Sequence, residues 1–144
     1  MTQIDFYTHV GDKLDVACRL TTKAFRQGLR VLVRCPDPDT AATFGKRLWC
    51  VPQTSFVPHC APQDALAAET PVHVDVDASG AEPQHEQILV NLCADWPPYF
   101  SRFERVIEIV SRADDDSSAA RARWKFYKER GYEMKARVQG KDFE

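Results

Sequence analysis

Segments with a strand-like pattern alternate with segments of helix-spaced apolar residues along the first third of the chain. Residues 4–7 are rich in β-branched and aromatic residues and predict a strand. The helix-spaced apolar residues after it end at Gly28, a typical C-terminal cap. An apolar run at residues 30–34 predicts a buried strand, and Asp37 before Pro38 predicts the start of another helix. Strand, helix, strand, helix is the pattern of a parallel sheet with helices on its faces.

The rest of the chain predicts more strands and one long helix. Short strands are predicted at residues 56–58, 72–76, 87–92 and 105–110, with a turn-like stretch at 78–84. Three aspartates and Ser117 predict the cap of a helix from about residue 115 to Arg130, which Gly131 ends. Together these elements predict an α/β, single-domain, Rossmann-like three-layer fold with a mainly parallel central sheet flanked by helices. The domain spans residues 1–144, of which 132–144 form a basic C-terminal segment.

Composition adds limits to this picture. A chain of 144 residues, 44% of them hydrophobic, can bury one sizeable core without a metal or a disulfide. The first residues have no secretory signal and no apolar stretch approaches a membrane span, so we expect a soluble, cytoplasmic protein. The five cysteines are scattered singly, which indicates ordinary thiols. His59 and Cys60 are adjacent but lack a second pair at ligand spacing, so no metal site is expected.

Charge is distributed unevenly along the chain. Residues 121–141 carry eight Lys or Arg against Glu129 and Glu133, whereas the whole chain has a net charge of −2. A basic segment on an acidic body suggests an anionic partner that docks at one place. A solvated helix face is the alternative interpretation, and the charges alone leave both open.

A nucleotide-binding enzyme is disfavoured because the phosphate-binding motifs are absent. The six glycines form no G-x-G-x-x-G, and Gly45-Lys46 lacks both the upstream glycine and the following hydroxyl of a phosphate loop. Ser55 lies near His59 but in no recognisable nucleophile elbow. We therefore expect no catalytic residues, no cofactor and no intrinsic activity.

Several segments, in order along nearly the whole chain, resemble the chi subunit of bacterial DNA polymerase III. The segments are residues 6–7, 28–32, 48–49, 55–59 and 121–127, followed by Gly131. The resemblance implies a non-catalytic accessory subunit of the holoenzyme with two protein partners. One is the psi subunit of the clamp loader, and the other is the acidic C-terminal tail of single-stranded DNA-binding protein; DNA is reached only through the complex.

The final helix is the first candidate binding site. A helical projection places Arg121, Lys125 and Lys128 on one charged arc, with Trp124 at its border. The resemblance implies that Arg121, Trp124 and Lys125 bind the acidic tail, and Lys128 is added as their neighbour. Read from the projection alone, Trp124 is more often a core residue beside solvated cations. Arg123 falls within the apolar arc, which predicts a structural pair with a carboxylate that the sequence does not identify.

Trp49 and Phe56 form the second candidate site. Core burial is the ordinary expectation for both, because Trp49 ends a predicted helix and Phe56 begins a predicted strand. The resemblance instead implies that the two bind psi, so we expect them to be neighbours and partly exposed.

Direct binding of single-stranded nucleic acid is the main alternative function. It would use Lys135, Arg137 and Lys141, with Tyr132 and Phe143 as the few aromatic residues on which bases could stack.

Overall fold

The structure is a computed structural model that describes residues 2–50, 57–62, 64–66, 69–76 and 86–143. Its strands are β1 (Gln3–Val10), β2 (Val31–Cys35), β3 (His59–Cys60), β4 (Val72–Val76), β5 (Ile88–Asn91), β6 (Arg105–Ser111) and β7 (Glu133–Val138). Its α-helices are α1 (Lys13–Arg26), α2 (Pro38–Cys50) and α3 (Asp114–Glu129), and a 3-10 helix, Phe100–Arg102, precedes β6.

All described strands form one parallel sheet in the order β3-β4-β2-β5-β6-β1-β7. The chain crosses from β1 to β2 through α1, and from β2 to β3 through α2, towards one edge of the sheet. It crosses from β6 to β7 through α3 towards the opposite edge. Right-handed crossovers therefore place α1 and α2 on one face and α3 on the other. The predicted α/β fold with a parallel sheet flanked by helices is confirmed.

Two hydrophobic cores lie on the two faces of the sheet, because alternate residues of a strand point to opposite sides. The core beneath α1 and α2 includes Tyr7, Val33 and Phe44. The core beneath α3 includes Phe6, Leu32 and Tyr127. The central strands are buried on both faces, which explains why their sequences are nearly continuous apolar runs.

The predicted helix ends agree with the structure except for the cap of α3. Asp37 caps α2, which begins at Pro38, because its carboxylate accepts a hydrogen bond from the backbone N–H of Thr40 at 2.7 Å. Gly28 and Gly131 have φ of 78° and 80°, so both glycines adopt the left-handed conformation expected just after a helix. At the start of α3, the residue before the helix is Ala113, and no side chain caps it. The predicted cap was wrong because Asp116 accepts a hydrogen bond from the backbone N–H of Ser111 instead, at 2.7 Å.

Two strand predictions also need correction. The strand predicted at residues 56–58 is replaced by β3 at His59–Cys60; Val57 and Pro58 precede it, and residue 56 lies outside the described residues. Residues 133–138 form β7, where the sequence predicts only a basic segment. Its alternating polar and apolar residues suit an edge strand, with Lys and Arg side chains that discourage pairing with other chains.

A fully buried carboxylate, Glu108 of β6, anchors α3 to the sheet. It accepts hydrogen bonds from Arg123 Nε at 3.0 Å and from the Tyr127 hydroxyl at 2.7 Å, both on α3. Asn91 Nδ2 donates from β5 at 2.9 Å. Desolvation raises the pKa of Glu108, although the Arg123 charge and these donors act against it. The carboxylate partner predicted for Arg123 is thus Glu108.

The network continues into the loop after β5. Arg34 Nη1 donates to Asn91 Oδ1 at 3.1 Å and to the Asp95 carbonyl at 2.9 Å. Arg123 Nη1 donates to the Ala94 carbonyl at 2.6 Å. Three strands, one loop and α3 are therefore joined through buried polar groups, which fixes how α3 is rotated about its axis.

Asp116 ties the start of α3 to both neighbouring elements. Besides accepting from Ser111 N, its carboxylate pairs with Lys13 of α1 at 3.3 Å. Partial burial acts to raise the pKa of Asp116, but the Ser111 hydrogen bond and the Lys13 charge outweigh it, so the pKa lies below its usual range.

We predict that Arg123→Ala lowers the free energy of unfolding by about 3–5 kcal/mol, because it leaves the Glu108 carboxylate buried without its cation. Arg121→Ala, a neighbouring and exposed position, should change it by less than about 0.5 kcal/mol. Urea unfolding followed by tryptophan fluorescence measures both. The double variant Glu108→Leu/Arg123→Met should recover part of the loss, and equal destabilisation by the two single arginine variants would contradict the assignment.

The Asp116 interactions predict a dependence of stability on pH. A carboxyl whose folded-state pKa is depressed stabilises the fold above its unfolded pKa of about 3.9, and that stabilisation is lost as the pH falls through the folded pKa. Asp116→Asn should therefore be less stable than wild type by about 1 kcal/mol at pH 7, and the difference should shrink below about pH 4. Urea unfolding at pH 7, 5 and 3 tests this, with Asp114→Asn as the control in the same turn. A difference that persists at pH 3 would show that the charge is not responsible.

Candidate functional site

A cleft opens where the connections of two neighbouring strands leave on opposite faces of the sheet. β1 leads into α1 on one face, whereas the adjacent β6 leads into α3 on the other. Ligands of open α/β sheets bind at the carboxyl ends of such strand pairs. The cleft has a volume of about 360 Å³ and is lined by Phe6, Thr8, His9, Val110, Ser111, Arg112, Ser117, Ala120, Arg121 and Trp124. We call it the switch-point cleft.

An apolar wall and a cation lie side by side in this cleft. Trp124 is only partly buried, and its ring meets Phe6 edge to face, with centroids 5.1 Å apart. Val110 and Ala120 extend the apolar surface from β6 and α3. Arg121 is exposed, so its guanidinium is accessible to a ligand. The cleft can therefore hold an apolar side chain and pair with an adjacent carboxylate.

His9 contributes a second polar edge and has an unusual backbone. Its φ is 59°, and it is the only non-glycine with a positive φ among the described residues. The Thr8 hydroxyl lies 2.9 Å from His9 Nδ1, and Arg112 Nε donates to the His9 carbonyl at 3.0 Å. Such a conformation costs about 1–3 kcal/mol and clusters at binding sites. The strain places an imidazole at the end of β1, beside the cleft.

Two of the four residues predicted to bind an acidic tail line the switch-point cleft. These are Arg121 and Trp124. Lys125 and Lys128 are exposed on the same helix but are not among the lining residues, and Lys125 lies 3.9 Å from Glu129 in an exposed ion pair. The indole of Trp124 and the guanidinium of Arg121 therefore line the same cleft, whereas the ammonium groups of Lys125 and Lys128 lie outside it.

The helical projection was partly wrong about the buried arc. The same projection puts Ala122 on the apolar side, but Ala122 is exposed in the structure, and the buried residues of α3 are Ala120, Arg123 and Tyr127. The reason is that the pairing of Arg123 and Tyr127 with Glu108 turns that side of the helix inward.

Trp49 lies on a second surface, at the end of α2. Its side chain is 61% exposed, which excludes the core interpretation and confirms the expected exposure. The ring meets His59 edge to face at 6.2 Å. A mostly apolar cleft of about 610 Å³ surrounds it, lined by Ala41, Ala42, Gly45, Lys46, His59, Cys60, Ala61 and Val74. Phe56, its predicted neighbour, lies outside the described residues.

Gly45 allows this second surface to form. A Cβ at this position would lie 3.1 Å from His59 Nε2, tighter than nine in ten real Cβ contacts. The missing side chain lets the His59 ring approach α2, and the His59 ring in turn lies against Trp49. In the sequence alone, Gly45 stands out only as part of an incomplete phosphate-loop motif.

Some of the basic and aromatic residues after α3 already have partners within the fold. Arg137 lies over the Tyr7 ring at 5.4 Å and pairs with Asp5 at 3.5 Å, so its charge is partly used inside the protein. Lys135 and Lys141 are exposed. Tyr132 packs against Phe100 at 5.2 Å and Phe143 against Tyr7 at 5.0 Å, so both predicted stacking platforms have partners within the fold.

Most of the switch-point cleft was not identified from sequence. Phe6, Thr8 and His9 are far from α3 in the chain, and only the adjacency of β1 and β6 brings them beside it. The sequence signal available was the parallel βαβ pattern, which predicts functional residues at the carboxyl ends of strands without naming the pair.

Metal and membrane chemistry find no support in the part of the chain that the structure describes. No three His, Cys, Asp or Glu side chains there are grouped as a metal would require. None of the described helices combines the length and the apolar character needed to cross a bilayer.

Comparison with solved structures supports the fold. Dbp5 from S. cerevisiae, solved bound to RNA and ADP BeF3, matches with a TM-score of 0.66 at 14% identity, over 94% of this chain and 41% of that one. An identity this low shows a shared α/β architecture and nothing about ligands.

Comparison with sequence families is more specific. Residues 1–135 match the family model described as DNA polymerase III chi subunit, HolC. The DNA polymerase III subunit chi of Pseudomonas aeruginosa is 35% identical over 93% of this chain and 94% of its own length. The subunit chi of Escherichia coli is 27% identical over 83% of this chain and 80% of its own length. The chain therefore belongs to the DNA polymerase III chi subunit family.

Proposed function

We propose that this chi-family protein is a non-catalytic connector that binds the acidic C-terminal tail of single-stranded DNA-binding protein at one site and the psi subunit at another. The observation that carries the proposal is the switch-point cleft, in which the exposed Arg121 stands beside the partly buried Trp124. The connector would link the clamp loader to the strand covered by the binding protein.

The switch-point cleft has the chemistry that an acidic peptide ending in an aromatic residue requires. The wall of Trp124, Phe6 and Val110 offers apolar contact to a terminal ring, worth about 1.5–3 kcal/mol on burial. Arg121 and Arg112 are positioned to meet carboxylates of the peptide, including the terminal one. Exposed ion pairs contribute only about 0.2–1 kcal/mol each, so the aromatic anchor and the charges are both needed.

Lys125 and Lys128 would act at longer range. Both are exposed outside the cleft, so we assign them to attraction of the acidic residues that precede the peptide's end. Screened charges of this kind alter the association rate and the salt dependence more than the contact energy.

The Trp49 surface suits a more apolar partner. An exposed tryptophan beside an apolar cleft is the kind of anchor that dominates protein–protein interfaces. The surface lies beside β3 and β4 at one edge of the sheet, whereas the switch-point cleft lies at β1 and β6 towards the other. Separate surfaces let one chain hold two partners at the same time.

We predict that a fluorescent acidic tail peptide binds with a Kd on the order of micromolar. Arg121→Ala and Trp124→Ala should each weaken binding about tenfold, through lost pairing and a lost apolar wall respectively. Lys125→Ala and Lys128→Ala should each have a smaller effect, which disappears at high salt. Fluorescence anisotropy measures all four.

Lys141→Ala is the matched control for that titration, because it removes an exposed charge away from the cleft. A peptide without its last aromatic residue should lose as much affinity as one with neutralised acids. If folded Arg121→Ala and Trp124→Ala bound the peptide like wild type, the tail-binding assignment would be wrong.

We predict that Trp49→Ala weakens binding to psi by about 2 kcal/mol or more, as expected for a tryptophan anchor. The affinity for the tail peptide should not change, because distant sites are additive. Calorimetry with purified psi and anisotropy with the peptide separate the two effects. Leu66→Ala, a change at another exposed hydrophobic residue that does not line the Trp49 cleft, is the control. Unaltered psi affinity in Trp49→Ala would contradict the second site.

A further inference from the structure

A second polar cleft lies on the α1 face of the sheet, behind β1 as seen from the switch-point cleft. Its volume is about 400 Å³, and its charged lining consists of Asp5, Lys23, Arg105 and Arg137. The strand residues share one face because of the parallel register, in which Gln3 is opposite Arg105 and Tyr7 is opposite Arg137. Lys23 reaches the same space from α1. We call it the β1 basic cleft.

Asp5 orients one of the guanidinium groups in this cleft. Its fully buried carboxylate accepts from Arg105 Nε, and from Gln3 Nε2 at 3.1 Å. Arg105 Nη2 also donates to the Tyr7 hydroxyl at 3.0 Å. Nε and Nη2 of Arg105 are therefore both hydrogen-bonded, whereas its Nη1 has no hydrogen-bond partner among the described residues. A carboxylate that orients a basic group for a ligand is a common arrangement in binding sites.

The other two cations have unused donors. Among the described residues, the guanidinium of Arg137 makes no hydrogen bond; it has only an ion pair with Asp5 at 3.5 Å and a contact with the Tyr7 ring. Its Nη1 is shielded from solvent and has no hydrogen-bond partner. A phosphate oxygen in the cleft would give this guanidinium the hydrogen-bond acceptor that the described residues do not supply. Lys23 likewise has no ion pair with any described residue.

The charges do not balance within the β1 basic cleft. Lys23, Arg105 and Arg137 face the single carboxylate of Asp5, so the charged lining has a net charge of +2. A phosphate monoester carries about −1.5 to −2 charges near pH 7 and offers three acceptor oxygens, which guanidinium groups bind in pairs. We propose that the β1 basic cleft is a binding site for a phosphate group, held by Arg105, Arg137 and Lys23. This site is separate from both protein-binding surfaces and does not depend on their assignment.

The test is calorimetric titration at constant ionic strength, with chloride as the reference anion. Three probes are compared: inorganic phosphate, thymidine monophosphate and a single-stranded oligothymidylate. Arg137→Gln and Lys23→Gln should each weaken phosphate binding about fivefold or more. Both positions are at least partly exposed, and Asp5 keeps Arg105 and Gln3 in either variant, so the fold should survive. Lys141→Gln, an equal charge change outside the cleft, should bind like wild type.

The titration identifies which kind of phosphate ligand the cleft binds, or overturns the proposal. Strongest binding of inorganic phosphate indicates a free anion, of the monophosphate a small phosphorylated ligand, and of the oligonucleotide a strand; all three support a phosphate site if both cleft variants weaken it. Amide chemical shifts near Lys23 and Gln27 should respond to the probe that binds. Failure of all three probes to bind at 10 mM, on the order of the weakest useful affinity, would overturn the proposal. Equal weakening by Lys141→Gln and the two cleft variants would also overturn it.

Discussion

The buried carboxylate of Glu108 is the constraint on which the placement of α3 depends. The helix has 16 residues, but its buried positions are only Ala120, Arg123 and Tyr127. Two of these three bind Glu108, so polar pairing rather than an apolar stripe determines the rotation of the helix. Burying a carboxylate has a large desolvation free energy, which is tolerated only when the charge is paired and hydrogen-bonded, as it is here. That rotation leaves Trp124 at the border of the core and Arg121 in solvent.

The same constraint explains which parts of the structure the sequence could predict. The apolar strands and the glycines that end helices follow from local chemistry, and Gly28 and Gly131 adopt the expected left-handed conformation. The partner of Arg123 could not be predicted, because Glu108 is one of many acidic residues until the sheet order is known. β7 was missed because an edge strand needs fewer apolar residues than a central one. The cleft residues of β1 follow only from the adjacency of β1 and β6.

Strand β1 separates two clefts of different chemistry. Its even residues, Phe6 and Thr8, face α3 and an aromatic wall, while Asp5 and Tyr7 face α1 and a group of cations. The strand has this double role because β6 and β7 flank it and helices from opposite crossovers cover its two faces. A change of register by one residue would exchange the two sets of side chains, so strong pairing on both sides protects both clefts.

The basic segment at residues 121–141 is therefore not one electrostatic surface. Arg123 forms an ion pair with Glu108 within the core, and Arg137 forms one with Asp5 on the α1 face of the sheet. Arg121 lies on the α3 face, beside the apolar wall of the switch-point cleft. The α3 layer and the sheet thus divide the cations among a structural pair, a peptide-sized cleft and a polar cleft. Because exposed charges interact strongly only within about 8–10 Å in salt, the net charge of the segment does not describe the local charge at any of these three places.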